Sequence, residues 1–345
     1  MRTRHALRTA SALVLSAALG LAGCGSSGSS DTGTISLVGF AVPKAANDAA
    51  AALWRTTDAG KDVRFETSYG ASGDQSRAVE SGKHADYVHF SLEGDVTRLV
   101  KAGIVADDWD DGPTKGIVSR SVVVLVVRKG NPRHIEGWDD LLRDGISIVT
   151  PNPGSSGSAR WNIMAAWAHA TDAGAGPDAD GEAYLTKLFR NVSVLAGSGR
   201  EATTAFTNGD ADVLVSYENE AIFARRHGED FDYVVPDTTL LIENPAAVTK
   251  GATPKARQFL DFVLTKAGQE AFARNGFRPV IDGVDVEVPG SNDPKDPFPA
   301  PERLVTIADL GGWSEVNAKF FATADKDGSD GIVTKIQNAS GKGNG

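Results

Sequence analysis

Three short stretches of this 345-residue chain place glycine and serine just ahead of helix-like sequence. The first is Ser68-Tyr69-Gly70-Ala71-Ser72-Gly73. The second runs Pro151-Asn152-Pro153-Gly154-Ser155-Ser156-Gly157-Ser158, and the third is Gly197-Ser198-Gly199. The first four N–H groups of a helix lack partners inside it, and the helix dipole puts about half a positive charge there. Glycine lets backbone approach a ligand closely, and serine adds a hydroxyl donor. One such loop is ordinarily a cap and a turn. Several aimed at one point form an oxoanion site that needs no lysine or arginine.

The elements that would position these loops alternate along the chain. Thr34 to Phe40 reads as a strand, and Pro43 to Trp54 as a helix with proline at its start. Val63 to Ser68 is a second strand, followed by a helix to about Glu80, and Tyr87 to Ser91 is a third strand. Val122 to Val127 is continuously apolar and β-branched, which fits a strand covered on both faces. Ile146 to Thr150 and Asp212 to Ser216 are further short strands with helix signals after them. Thr253-Pro254 marks another helix start. The pattern is that of an α/β protein. Extended runs at 121–129 and 239–248 could carry the chain between lobes, giving a first lobe of 34–121 and 239–345 and a second of 122–238. A cleft between two such lobes is a favoured ligand site.

Cys24 is the chain's one cysteine, and it closes the run Leu21-Ala22-Gly23-Cys24. Arg2, Arg4 and Arg8 precede an apolar core of roughly a dozen residues, the form of a bacterial lipoprotein leader spanning 1–23. That core is too short for a spanning helix, which needs about 20 apolar residues. The expected product is exported, acylated at Cys24 and held by its lipid at the outer face of the cytoplasmic membrane, or periplasmic. Residues 24–33 are Gly/Ser-rich and read as a flexible tether. Loss of Arg2, Arg4 and Arg8 takes the net charge from −10 to −13. Nucleic acid is therefore not an expected partner, and any bound anion must rely on local donors.

Other chemistries lack their motifs. No Gly-x-Ser-x-Gly elbow precedes a helix, so a secreted serine hydrolase is the weaker alternative. His84, His89, His134, His169 and His227 are scattered. No HExxH or cysteine pair marks a metal site. Asp325-Lys-Asp-Gly-Ser-Asp-Gly resembles half a calcium loop but has Asp330 at the sixth position and Ile336 at the twelfth. Trp161 and Trp167 read as core. No cofactor and no metal are implied.

Five segments carry a family resemblance: Tyr69-Gly-Ala-Ser-Gly-Asp-Gln, Val126-Val-Arg-Lys-Gly-Asn-Pro, Thr150-Pro-Asn-Pro-Gly-Ser-Ser-Gly-Ser-Ala-Arg-Trp-Asn, Asp212-Val-Leu-Val-Ser-Tyr-Glu-Asn-Glu-Ala and Phe277-Arg-Pro. On these the chain resembles the sulfate-binding proteins of bacterial ABC importers. The resemblance implies a two-lobed periplasmic-binding-protein (type II) fold with the ligand cleft between lobes. It implies a monomeric, non-enzymatic receptor that delivers sulfate to permease subunits. Thiosulfate, molybdate or phosphate are the alternative ligands.

The family's site maps onto a hydroxyl at Ser72 and backbone N–H groups at Ser156, Gly157, Ser158, Gly199 and Val42. Its indole donor falls on Tyr217, where tyrosine keeps a donor in a different place; at Ser158 the family more often has glycine. None of these positions is acidic, which suits sulfate, a dianion with acceptors only. Phosphate usually keeps a proton and wants a carboxylate. Asp74, Glu201 and Glu218 adjoin the site, the first two as expected first-turn stabilisers. Asp74, Arg160 and Arg200 are expected to support the loops around the ligand.

Overall fold

The structure is a computed structural model that describes residues 33–324 and 329–342. The expected leader, Cys24 and most of the expected tether lie outside the described residues, as do residues 325–328 of the expected acidic turn.

The strands are β1 (Thr34–Phe40), β2 (Arg64–Gly70), β3 (Tyr87–His89), β4 (Ile117–Arg128), β5 (Ile148–Pro151), β6 (Val192–Ala196), β7 (Val213–Tyr217), β8 (Phe231–Val234), β9 (Thr238–Val248) and β10 (Arg303–Val305). The helices are α1 (Lys44–Trp54), α2 (Ser72–Glu80), α3 (Glu93–Lys101), α4 (Gly157–Ala170), α5 (Asp178–Asn191), α6 (Gly199–Asn208), α7 (Glu218–Arg226), α8 (Pro254–Val263), α9 (Lys266–Ala273), α10 (Gly312–Val316) and α11 (Ile332–Ala339).

A mixed sheet runs β2-β1-β3-β9-β4-β7-β5-β6, with β8 on β4 and β10 on β9. β1 lies parallel between β2 and β3, and β5 lies parallel between β6 and β7. The long strands β4 and β9 join the two parallel sets. They pair antiparallel with each other at Val122 and Leu241. Further along, β9 pairs with β3 through Ala246 to Val248, and β4 pairs with β7 through Val123 to Val127. Beside them Arg278 forms a backbone bridge with Arg120.

The sequence of β4 explains its central position. Val122, Val124 and Val126 enter one apolar cluster, while Val123, Leu125 and Val127 enter another. Alternate side chains point to opposite faces, so an uninterrupted apolar strand must be covered on both. In α1, Ala46, Asn47, Ala50, Ala51 and Trp54 are buried, one face at helical spacing. Proline at the first position of α8 follows Thr253, whose side chain makes no cap bond.

The C-terminal part, expected with 34–121, packs in two directions. α8 and α9 lie beside α1 and β3. From about residue 278 the chain instead packs on the elements of 122–238. Val286 and Val288 join the cluster of Val122, Val124 and Phe231. Trp313 meets Trp161 edge-on at 4.6 Å, and Phe320 meets Trp167 at 4.6 Å. The aromatic face of α4 needs a cover, and the C-terminal aromatics supply it; nothing local in the sequence announces that pairing.

Candidate functional site

In α/β sheets, ligands bind where parallel strands end and helices begin. Here both parallel sets deliver helix starts to that edge. Val42 follows β1 and precedes α1. Ser72 is the first residue of α2, Gly157 of α4 and Gly199 of α6. Ser156 caps α4, and Tyr217 caps α7. Val42, Ser72, Ser156, Ser158 and Tyr217 are all at most 3 % exposed, and Gly157 and Gly199 are buried as well.

Direct contacts tie these residues into one place. A Cβ built on Gly199 would meet Ser158 Oγ at 2.9 Å and Val42 Cγ2 at 3.1 Å. One built on Gly157 would meet Ser91 Cβ at 2.7 Å and Leu92 Cγ at 2.8 Å. The Ser91 N–H donates to Ser72 Oγ at 2.9 Å, and Ser91 Oγ lies 2.9 Å from the Tyr217 hydroxyl. Ser158 and Asn244 also cluster at that phenol oxygen. Every expected site residue except Ser156 is thus linked through a neighbour in this set, and Ser156 adjoins Gly157 in the chain.

The hydrogen-bond accounting separates free donors from spent ones. Among the described residues, the N–H groups of Val42, Ser72, Gly157, Ser158 and Gly199 have no partner outside the helices they open, as helix starts require. Ser156 differs: its N–H donates to the Asn152 carbonyl at 2.8 Å. That N–H closes the turn ahead of α4 and is already paired in this structure. The Ser72 hydroxyl is spent too. It donates to Asp95 Oδ2 at 2.7 Å, which leaves the Ser72 N–H as the group free for a ligand.

The charged neighbours are engaged with protein atoms. Arg160 donates to the Pro153 carbonyl at 3.1 Å and to Asn317 Oδ1 at 2.7 Å. Arg200 forks onto Glu220 at 2.8 and 2.7 Å and reaches the Val42 carbonyl at 3.3 Å. Both guanidinium groups therefore brace loops that carry candidate donors. Asp74 is exposed and pairs with Arg77. Glu218 is fully buried and held by Arg278 at 2.7 and 3.0 Å; burial pushes its pKa up, and the guanidinium opposes that shift. Burial pushes the Tyr217 phenol well above its ordinary pKa, so it stays a neutral hydroxyl. The set can surround an anion with N–H and O–H donors, with no cation in direct contact.

Ser91, Asp95 and Asn244 belong to this constellation and were not apparent in the sequence. Ser91 lies in His89-Phe90-Ser91-Leu92, a strand end without glycine. Asp95 looks like any first-turn carboxylate of α3.

Comparisons with known proteins agree in kind. A family described as bacterial extracellular solute-binding protein matches residues 35–278. A sulfate-binding protein from Synechococcus elongatus is 39 % identical over 355 residues, covering 98 % of this chain and 97 % of the relative. A thiosulfate-binding protein from Pseudomonas aeruginosa is 34 % identical, covering 80 % and 84 %. Among solved structures, the sulfate-binding protein SubI from Mycobacterium tuberculosis H37Rv superposes with a TM-score of 0.78 at 46 % identity. That match covers 84 % of this chain and 99 % of the other.

Proposed function

The chain belongs to the bacterial extracellular solute-binding proteins, and from that premise we propose that it captures sulfate outside the cell and hands it to an ABC-transporter permease. It is a receptor, not an enzyme. The carrying observation is the meeting of four helix starts at one buried point, with unpaired N–H groups at Val42, Ser72, Gly157, Ser158 and Gly199. Such donors, with the Ser156 hydroxyl, match a guest that only accepts hydrogen bonds.

The same reading separates sulfate from phosphate. A phosphate proton needs an acceptor. Asp95, a buried carboxylate beside these donors, is already bonded to the Ser72 hydroxyl and, at 2.9 Å, to Arg98. Thiosulfate is the second reading, favoured by the named thiosulfate-binding relative. Capture would begin in an open cleft and end with the lobes closed on the anion. The first lobe is proposed as 34–121 with 239 to about 277 and the second as 122–238 with the C-terminal part. Cys24 is the proposed lipid attachment site.

Isothermal titration with sulfate, thiosulfate, molybdate and phosphate tests the reading. Sulfate and thiosulfate should bind more tightly than phosphate. Sulfate at 100 times its dissociation constant should add about 2.7 kcal/mol of stability. An absence of heat with every oxoanion would end the proposal. Expression of a Cys24→Ser variant tests the anchor: the protein should leave the membrane fraction.

A further inference from the structure

Ser91 is fully buried, and each of its polar atoms is used. Its N–H donates to Ser72 Oγ at 2.9 Å. Its carbonyl accepts from Trp161 Nε1 at 2.9 Å and from Asn244 Nδ2 at 3.1 Å. Its hydroxyl is hydrogen-bonded to the Tyr217 hydroxyl at 2.9 Å, with either oxygen able to donate. Gly157 lies against its side chain so closely that a Cβ there would come within 2.8 Å of Ser91 Oγ. One residue after β3 therefore touches the start of α2, the start and the indole of α4, strand β9 and the end of β7.

The partners divide between the two halves of the sheet. Ser72 belongs with β1 to β3. Gly157, Trp161 and Tyr217 belong with β5 to β7. The Ser91–Tyr217 hydrogen bond joins residues 126 positions apart, one just after β3 and the other at the end of β7. We infer that Ser91 is a positioning residue for anion capture, and that its hydroxyl, with that of Tyr217, latches the closed state. This rests on the sulfate reading above and extends it to two side chains that act on each other.

The latch has a kinetic signature. An interaction present only after closure slows release, while capture by the open form proceeds without it. Loss of one hydrogen bond between neutral hydroxyls should raise the sulfate off-rate roughly 3- to 10-fold and leave the on-rate nearly unchanged. A residue that merely stabilised the fold would lower the active fraction instead of changing the off-rate.

The test is a double-mutant cycle on the full chain with Ser91→Ala, Tyr217→Phe and the pair. Stopped-flow tryptophan fluorescence reads the rates, with Trp161 bonded to the Ser91 carbonyl as a local reporter. Circular dichroism melts of each variant confirm folding. The expected result is that each single variant raises the off-rate and the pair raises it no further than either one. Multiplicative losses, or a reduced on-rate with an unchanged off-rate, overturn the latch while sulfate binding by the parent stands. No sulfate binding by the parent overturns the receptor reading and this inference together.

Discussion

The Ser72 hydroxyl donates to Asp95 Oδ2 at 2.7 Å while accepting from the Ser91 N–H at 2.9 Å. Its single proton is therefore committed inside the protein, between the first residue of α2 and the first turn of α3. Ser72→Ala would strand a buried carboxylate oxygen and a buried N–H. The expected loss is about 1–3 kcal/mol of folding stability, read from the midpoint of urea unfolding. A variant as stable as the parent would show that Asp95 does not depend on this hydroxyl.

Gly157 is required for closeness as well as for its N–H. Alanine there would press on Ser91 Cβ and Leu92 Cγ, at 2.7 and 2.8 Å. Gly157→Ala should hold the two halves of the site apart and weaken sulfate binding roughly ten-fold or more. Calorimetric titration gives the answer; an unchanged dissociation constant would mean that these surfaces do not meet in the bound form.

Arg278, itself partly buried, forks onto Glu218 at 2.7 and 3.0 Å, and Glu218 is 0 % exposed. Removing one partner leaves a charge without compensation. Arg278→Ala should destabilise by about 3–5 kcal/mol, and adding Glu218→Gln should recover part of that loss. Thermal unfolding of the single and double variants checks both statements.

His89 is wholly buried among Asn47, Ser119 and Phe272, and burial pushes its pKa down to about 3. The unfolded chain takes up a proton near pH 6.5 that the native protein refuses. Stability from this group is therefore complete above about pH 6.5 and is lost as pH falls toward 3, at most about 1.4 kcal/mol per pH unit. Between about pH 6.5 and 5 the melting temperature should fall, and His89→Gln should flatten the slope. An equal slope in the variant would assign the effect to other groups.

Binding itself should respond little to pH. The proposed donors are backbone N–H groups and a serine hydroxyl, and the Tyr217 beside them is held neutral by burial. Sulfate affinity measured from about pH 6 to 9 should stay within roughly a factor of two. A steep change would reveal a titrating group in contact with the anion.

The three glycine–serine loops were legible because helix starts are encoded locally. Each loop stands at the beginning of a helix, and the alternating strands predicted the α/β sheet. The apolar run of β4 announced a strand covered on both faces. Ser91 and Asp95 were not legible. Their importance comes from partners 126 and 23 residues away, and nothing in their flanking sequence distinguishes them from an ordinary serine and an ordinary first-turn acid. The pairing of the Ser156 N–H with the Asn152 carbonyl was not legible either, because that turn depends on backbone angles. The packing of the C-terminal part on α4 was not legible either, since Trp313 and Phe320 find their aromatic partners across long sequence separations.

β4, β9 and the Arg120–Arg278 bridge run side by side where the chain passes between the two halves. Sliding one half past the other would tear the ladder hydrogen bonds of every pass at once, whereas bending across the ribbon only flexes them. Under the proposed capture, closure by bending across this ribbon is therefore favoured over shear, and a bend would return the same amides to the same spot.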